Sequence, residues 1–206
     1  MSEAAPDLAA PTTDRGRRRR EAVLDAAEQL FHEHGFHGVS VDDLGAAAGI
    51  SGPGLYRHFA SKDALLMAVL DRIWMRLRPA VEHAGSLDPA QALEELLDAQ
   101  LDLALEQPAA LVLLVRELRH LPDDYRSLAS RNHRRYVAAW AEAIRGRRPE
   151  LGEADARAIA LAVHGLVDSA TLRAQAMPRG LSRQAHRRLL DHLARAVLDA
   201  PTPEAT

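Results

Sequence analysis

The sequence predicts an all-α protein of about nine helices, and three observations carry that expectation. Leu and Ala dominate an apolar fraction of 47%, while aromatics supply only 4%, a composition rich in strong helix formers. Apolar residues recur at helical spacing in one segment after another, and no stretch alternates as a half-buried strand does. Ser, Gly and Pro stand between those segments, where caps and breaks belong.

Residues 1–13 hold Pro6 and Pro11 among small residues and are expected to be a disordered arm. The first helix is expected from Asp14 to His34, with Val23, Ala26, Ala27, Leu30 and Phe31 as its apolar stripe and Gly35 as a left-handed cap. Phe36 and Val39 then fold back onto that stripe. Ser40 suits an N-cap, followed by Asp42 and Asp43 in the first turn, where acidic groups complement the helix dipole. This second helix runs to about Ala48 and Gly49 supplies a turn. Ser51 caps a third helix with Pro53 in its first turn, where a missing N–H costs nothing. Ser61 caps a fourth, Lys62 to about Arg78, which Pro79 ends or kinks.

Longer helices follow. Ala90–Glu106 lies between Pro89 and Pro108, and Ala109–Leu121 stops at Pro122. Asp123–Arg145 carries Tyr136, Val137, Trp140 and Ile144 on one side and is broken by Gly146 and Pro149. Glu153–Ala176 is closed by Pro178 and Gly180. Ser182 caps the last helix, which reaches about Ala200, and residues 201–206 form a loose tail.

Composition excludes several classes of function. The chain of 206 residues has no cysteine, so disulfides, thiolate catalysis and cysteine-based zinc or redox sensing are ruled out. No apolar leader opens the sequence, and the longest apolar run, Ala109–Val115, is far short of the ~20 residues that span a bilayer. A cytoplasmic protein with no membrane partner is expected. HExxH, Walker and GxGxxG signatures are absent, and His32, His34 and His37 are too irregularly spaced for a metal site. No enzyme activity, cofactor or metal is expected.

The segment from Ser40 to Phe59 carries the functional signal. Two short capped helices separated by a glycine turn form a helix-turn-helix, whose second helix enters the major groove of DNA. The net charge of −3 means that any such binding rests on a local basic face. Arg17, Arg18, Arg19 and Arg20 form one basic cluster, suited to the minor groove or the phosphate backbone. Leu55 and Phe59 are expected to face inward. Gly52, Pro53 and Gly54 leave a bare surface beside Ser51, and Arg57 is the long polar side chain placed to read guanine. Ser40 and Lys62 stand at helix N-termini that favour phosphate.

From Ser40 to Leu66 the chain resembles the TetR family of bacterial repressors. The residues carrying the likeness are Leu44-Gly45-Ala46-Ala47-Ala48-Gly49-Ile50-Ser51, Leu55-Tyr56-Arg57-His58-Phe59 and Ser61-Lys62-Asp63-Ala64-Leu65. Family members often have Ala where this chain has Gly45, a position where two helices cross and a small residue is required. The resemblance implies that Tyr56 and His58 contact phosphates. It also implies a DNA-binding domain over 14–60, and a ligand-binding and dimerisation domain over 61–200. A homodimer on a pseudo-palindromic DNA operator follows from two-fold symmetry. An all-helical adaptor is the alternative reading of the C-terminal helices, but it leaves the capped reading unit unexplained.

Small residues Ala158, Ala162, Gly165 and Ser169 recur on one helical face, and Leu189, Leu193 and Val197 form an apolar row on the last helix. Both rows are expected at the dimer interface. A loose likeness to regulators of fatty-acid and steroid catabolism implies a small-molecule effector such as an acyl-CoA. Trp74, Arg116, Arg119, His120, Tyr136, Trp140 and His164 are its candidate contacts, with the cationic groups at the rim of an apolar cavity.

Overall fold

The computed structural model describes residues 13–174 and 181–201, and no strand occurs among them. Residues 1–12 and 202–206, expected to be loose, lie outside the described residues, as do residues 175–180, which hold the expected helix end at Ala176. Among the described residues nine α-helices follow one another: α1 Asp14–His34, α2 Val41–Ala47, α3 Gly52–Leu55, α4 Lys62–Ala84, α5 Pro89–Glu106, α6 Pro108–Glu117, α7 Asp123–Arg147, α8 Glu153–Ala174 and α9 Arg183–Asp199. A 3-10 turn, Leu118–His120, joins α6 to α7.

These helices divide into two compact units. The first holds the described chain up to Ile73 together with Val112–Leu128, and the second holds Trp74–Leu111 and the remainder from Ala129. Residues 14–60 thus fall wholly in the first unit, while 61–200 are shared between both.

In the first unit Val23, Leu24, Ala27 and Phe31 of α1 are buried together with Phe36, Val39, Leu44, Leu55 and Phe59. Leu65, Leu66, Val69 and Leu70 of α4 complete this core. A fully buried Leu contributes roughly 2 kcal/mol through its removal from water, so this run of aliphatic residues is ample for a small helical unit. Tyr125 ties the Val112–Leu128 segment to α4: its hydroxyl lies 3.1 Å from the Met67 carbonyl and 3.0 Å from Asp71 Oδ1.

The second unit is built on α5, α7, α8 and α9. Leu93, Leu96, Leu97 and Leu101 of α5 are buried, as are Val137, Trp140 and Ile144 of α7, Ala156, Ala160, Val163 and Val167 of α8, and Leu190, Ala194 and Leu198 of α9. Arginines pin α9 to α5: Arg187 reaches Asp98 at 2.8 Å and Arg195 reaches Glu94 at 2.6 Å. These pairs are half-exposed, so each adds only a few tenths of a kcal/mol up to about 1.

Three expected helix ends gain detail in the structure. Pro79 lies inside α4, which runs on to Ala84. The intrahelical bond that its missing N–H forfeits would have gone to Met75, on an exposed stretch where water can solvate the freed carbonyl. Gly146 also lies inside its helix, α7. A Cβ there would sit 2.5 and 2.8 Å from the ring carbons of Pro89, so Gly146 also serves close helix approach, and α7 ends one residue later at Arg147, before Pro149. Gly35 ends α1 with φ 73° and ψ 157°. The positive φ favours glycine, but the conformation is extended and not left-handed helical, and its N–H bonds the Phe31 carbonyl at 2.9 Å. Among the described residues no helix is long and apolar enough to cross a membrane.

Candidate nucleic-acid interface and buried polar cluster

Local sequence starts and turns the helices of the reading unit. Ser40 and Asp43 close a reciprocal capping box on α2: Asp43 N–H donates to Ser40 Oγ at 3.1 Å, and Ser40 N–H donates to Asp43 Oδ2 at 2.9 Å. The Ser40 hydroxyl holds the Asp43 carboxyl below its usual range. Gly49 makes the turn with φ 65°. Ser51 then accepts from Gly54 N–H at 3.2 Å to start α3, with Pro53 in the first turn.

The crossing of α2 and α3 is unusually tight. A Cβ on Gly45 would lie 2.8 Å from Gly52 N, 2.9 Å from the Ile50 carbonyl oxygen and 3.0 Å from the Ser51 carbonyl carbon. All three are backbone atoms, so no side-chain rotation relieves the contact. The expected requirement for a small residue at Gly45 is met, and it is strict: even the methyl of Ala requires the two backbones to separate.

Regular α3 is shorter than the expected helix, ending at Leu55. It continues to Phe59 as overlapping turns, with His58 N–H to Leu55 O at 2.9 Å and Phe59 N–H to Leu55 O at 3.1 Å. Leu55 and Phe59 are 1% and 3% exposed, anchoring the segment as expected. Tyr56 is 49% exposed. Pro53 and Arg57 are also exposed, His58 is half-buried, and Ser51 and Gly54 stand beside them.

Several expected contacts point elsewhere. Gly52 is buried, and Asp42 Oδ1 would lie 2.1 Å from a Cβ placed on it, so it presents no surface. The Lys62 ammonium donates to the Phe36 carbonyl and sits 4.4 Å from the Phe36 ring centre, and burial lowers its pKa. The ammonium is directed at the protein, so any phosphate contact at Lys62 falls to the backbone at the start of α4. Arg19 Nη1 donates to the Gly49 carbonyl at 3.1 Å, satisfying the end of α2. Arg20 lies 4.9 Å from the Phe59 ring centre. Arg17 pairs with Asp14, and Arg18 is exposed. Half of the arginine run thus braces the reading unit from α1. The charge pattern alone could not separate bracing from exposed arginines, because both occur in one uninterrupted run.

The candidate effector contacts fall in both units. Arg116, Arg119 and His120 are exposed residues of the first unit, where Arg119 Nε donates to His120 Nε2 at 2.9 Å. Trp74, Tyr136, Trp140 and His164 belong to the second. Arg135 stacks at 5.5 Å over the Trp74 ring. The other three meet: His164 stacks on Tyr136 at 4.8 Å between ring centres, and Trp140 meets His164 edge-on at 5.1 Å.

Two partners in this cluster were not expected from the sequence. The Tyr136 hydroxyl donates to Gln100 Oε1 at 2.8 Å, and Gln100 Nε2 donates to Asp168 Oδ1 at 2.6 Å. Gln100 is 2% exposed. A signal for both existed. Gln100 interrupts the apolar face formed by Leu93, Leu96, Leu97 and Leu103, and Asp168 stands one turn beyond His164. Burial pushes the Asp168 carboxyl up to about 6, with the Gln100 bond opposing it. Burial likewise holds the His164 imidazole down at about 3, aided by His133. His164 is therefore neutral at pH 7.

Among the described residues no group of His, Cys, Asp and Glu could hold a metal ion. The expected dimer rows are outward-facing. Ala158, Ala162, Gly165 and Ser169 of α8 are exposed, as are Leu189 and Leu193 of α9, while Val197 is half-buried.

Two capped helices crossing through glycine, with a polar strip on the second, define a helix-turn-helix regulatory protein. The chain matches the family model of bacterial regulatory proteins of the tetR family over residues 23–69, and that of the tetracyclin repressor-like C-terminal domain over residues 86–172. It belongs to the tetR family. A curated relative, the HTH-type transcriptional regulator RutR of Escherichia coli K12, is 32% identical over 103 residues, 48% of this chain and 48% of that protein. The match thus spans about half the length of that relative. Among solved structures the chain is similar to the TetR family regulator PfmR from Thermus thermophilus, with a TM-score of 0.73 and 23% identity over 88% of this chain and 99% of that one. It is also similar to AibR in complex with isovaleryl coenzyme A and operator DNA, with a TM-score of 0.67 and 18% identity over 84% and 97% of the two chains.

Proposed function

We propose that the chain is a transcriptional repressor, not an enzyme, that binds a pseudo-palindromic operator as a homodimer. An amphipathic effector bound by the C-terminal region releases it. Residues 14–60 supply DNA recognition, and 61–200 supply effector binding and dimerisation. Working on the chromosome places it in the cytoplasm.

One observation carries this reading: Pro53, Tyr56 and Arg57 stand exposed on a segment whose neighbouring residues, Leu55 and Phe59, are locked in the core. Arg57 is the base reader, offering a bidentate fork to guanine. Pro53 approaches a thymine methyl, and Tyr56 and His58 hold phosphates. Arg18 supplies a further backbone contact, whereas Arg19 and Arg20 act by bracing. The rows on α8 and α9 are faces left open within one subunit, and a partner's equivalent rows would close them as a four-helix bundle.

The fold shared with AibR, a protein solved in complex with isovaleryl coenzyme A and operator DNA, supports an acyl-CoA thioester as the effector class. Arg116, Arg119 and His120 are the groups available for its phosphates. Effector binding lowers operator affinity by the difference between its affinities for the two conformations.

A fluorescence anisotropy titration against DNA from upstream of the chain's own gene, with excess competitor, checks this reading. Binding is expected to survive competitor, to fall steeply with salt and to be released by long-chain acyl-CoA. Arg57→Ala is expected to cost about 1–3 kcal/mol on the preferred site and little on random DNA. An equal loss on both DNAs would make Arg57 a phosphate contact, and no effect would remove the segment from the interface.

A further inference from the structure

The cluster of Gln100, Tyr136, Trp140, His164 and Asp168 is unusual for a helical core. Its hydrogen bonds run in one direction. An ionised Asp168 can only accept, so Gln100 turns its amide N–H toward the carboxylate and its carbonyl toward the Tyr136 hydroxyl. The series ends at a carboxylate that no ion pair neutralises among the described residues; only burial and the Gln100 amide act on its ionisation. Two more polar atoms beside it are unsatisfied by protein. Trp140 Nε1 is fully buried with no hydrogen-bond partner, out of bonding geometry with the neighbouring Tyr136 hydroxyl. His164, 6% exposed, has its Nε2 buried without a partner.

Buried polar groups without partners cost free energy, and a buried carboxylate without a cation costs more. A core that needed only packing would be served better by apolar residues of the same volume. Three helices of the second unit instead bring these groups to one place. Asp168 is the half-buried member of the cluster, the other four being buried.

We propose that these five residues form the polar end of an effector site within the second unit, and that it takes a group bearing N–H donors, an ammonium or an amide, in preference to a carboxylate. The donor hydrogen goes to Asp168, the aromatic faces of Tyr136 and Trp140 flank it, His164 Nε2 can accept a further N–H, and the Trp140 N–H donates to the carbonyl where the group is an amide. A carboxylate would meet Asp168 charge to charge. This inference rests on the reading of the C-terminal region as an effector domain and adds the chemistry of the group it selects. A free fatty acid is thereby disfavoured, whereas an amine, or an amphiphile carrying amide groups, fits.

Three ligands with one chain length and different heads test it: decylamine, decanamide and decanoate, titrated below their aggregation concentrations into the full-length protein. Binding is read from the fluorescence of its two tryptophans. Decylamine is expected to bind at least about tenfold more tightly than decanoate, as a charge-assisted contact against a like-charge clash requires. Decanamide matching decylamine assigns the site to amides; decanamide falling well below it assigns the site to ammonium. Asp168→Asn keeps an acceptor for Gln100 and removes the charge. It is expected to bring decylamine and decanoate within about twofold of each other and to raise the melting temperature of the ligand-free protein. A carboxylate with a merely structural role would give the reverse, a lower melting temperature and an unchanged ratio. Decanoate binding as well as decylamine, no binding by any of the three, or an unchanged ratio in Asp168→Asn overturns the proposal. Operator binding is measured separately. A protein that binds its operator yet ignores decylamine refutes this site alone, and one without operator binding refutes the regulator reading while the headgroup ratio still decides this site.

Discussion

Replacing Gly45 with Val is expected to abolish specific DNA binding and to destabilise the first unit by about 3 kcal/mol or more, the upper end of overpacking costs in a close-packed core. The reason lies in the backbone contacts at 2.8 and 2.9 Å that a Cβ would make with Gly52 N and the Ile50 carbonyl. Two branched methyls would force α2 and α3 apart, and the strip formed by Pro53, Tyr56 and Arg57 would lose its position. Gly45→Ala is the graded control. Ala gains about 1 kcal/mol of helix propensity over Gly but places its methyl inside those same contacts, so a net loss of stability is expected. Urea denaturation followed by circular dichroism reads both. A Gly45→Ala variant more stable than the parent would show that the crossing relaxes easily and that the tight approach is not required.

The second large effect concerns assembly. Glutamates at both Leu189 and Leu193 are expected to convert the proposed dimer to monomers and to weaken operator binding by about two orders of magnitude or more, the scale of avidity that linkage of two half-sites provides. Both leucines are outward-facing on α9, so the substitutions leave the subunit core of Leu190, Ala194 and Leu198 intact. In a dimer the same positions would bury charge at a two-fold interface, where like charges face one another. DNA affinity falls because the second half-site is no longer bound at a high effective concentration. Analytical ultracentrifugation separates the outcomes: a variant that stays dimeric places the interface elsewhere, and one that is monomeric yet binds the operator as tightly as the parent removes the need for a dimer.

What the sequence made legible was local. The caps at Ser40, Ser51 and Ser61, the turn at Gly49 and the inward Leu55 and Phe59 depend on residues within one or two turns, and each stands where expected. Less legible were roles that depend on a distant partner or on solvent. Gly146 stands at the end of α7 as expected, and its second role, the close approach of Pro89 of α5, depends on that distant partner. Pro79 has the chemistry of a terminator, yet a solvent-facing stretch tolerates the lost bond. Gly52 looked like open surface until Asp42 was placed against it. Arg19 and Arg20 were read as DNA contacts and are held by a carbonyl or a ring, in part by a cation–π contact invisible to a charge count. The buried cluster was half legible: the aromatic members and His164 stood out, whereas Gln100 and Asp168 gain meaning only when α5 and α8 are brought together.

The central claim, that this chain reads a two-fold DNA sequence through the segment from Ser51 to Phe59, is tested most directly by selecting binding sites from random duplex DNA with the purified protein. The account predicts enrichment of an inverted repeat with half-sites about one helical turn or more apart, and loss of preference at a single guanine position per half-site in the Arg57→Ala variant. Repeated selection that enriches no sequence, or the same sequence with and without Arg57, would contradict it.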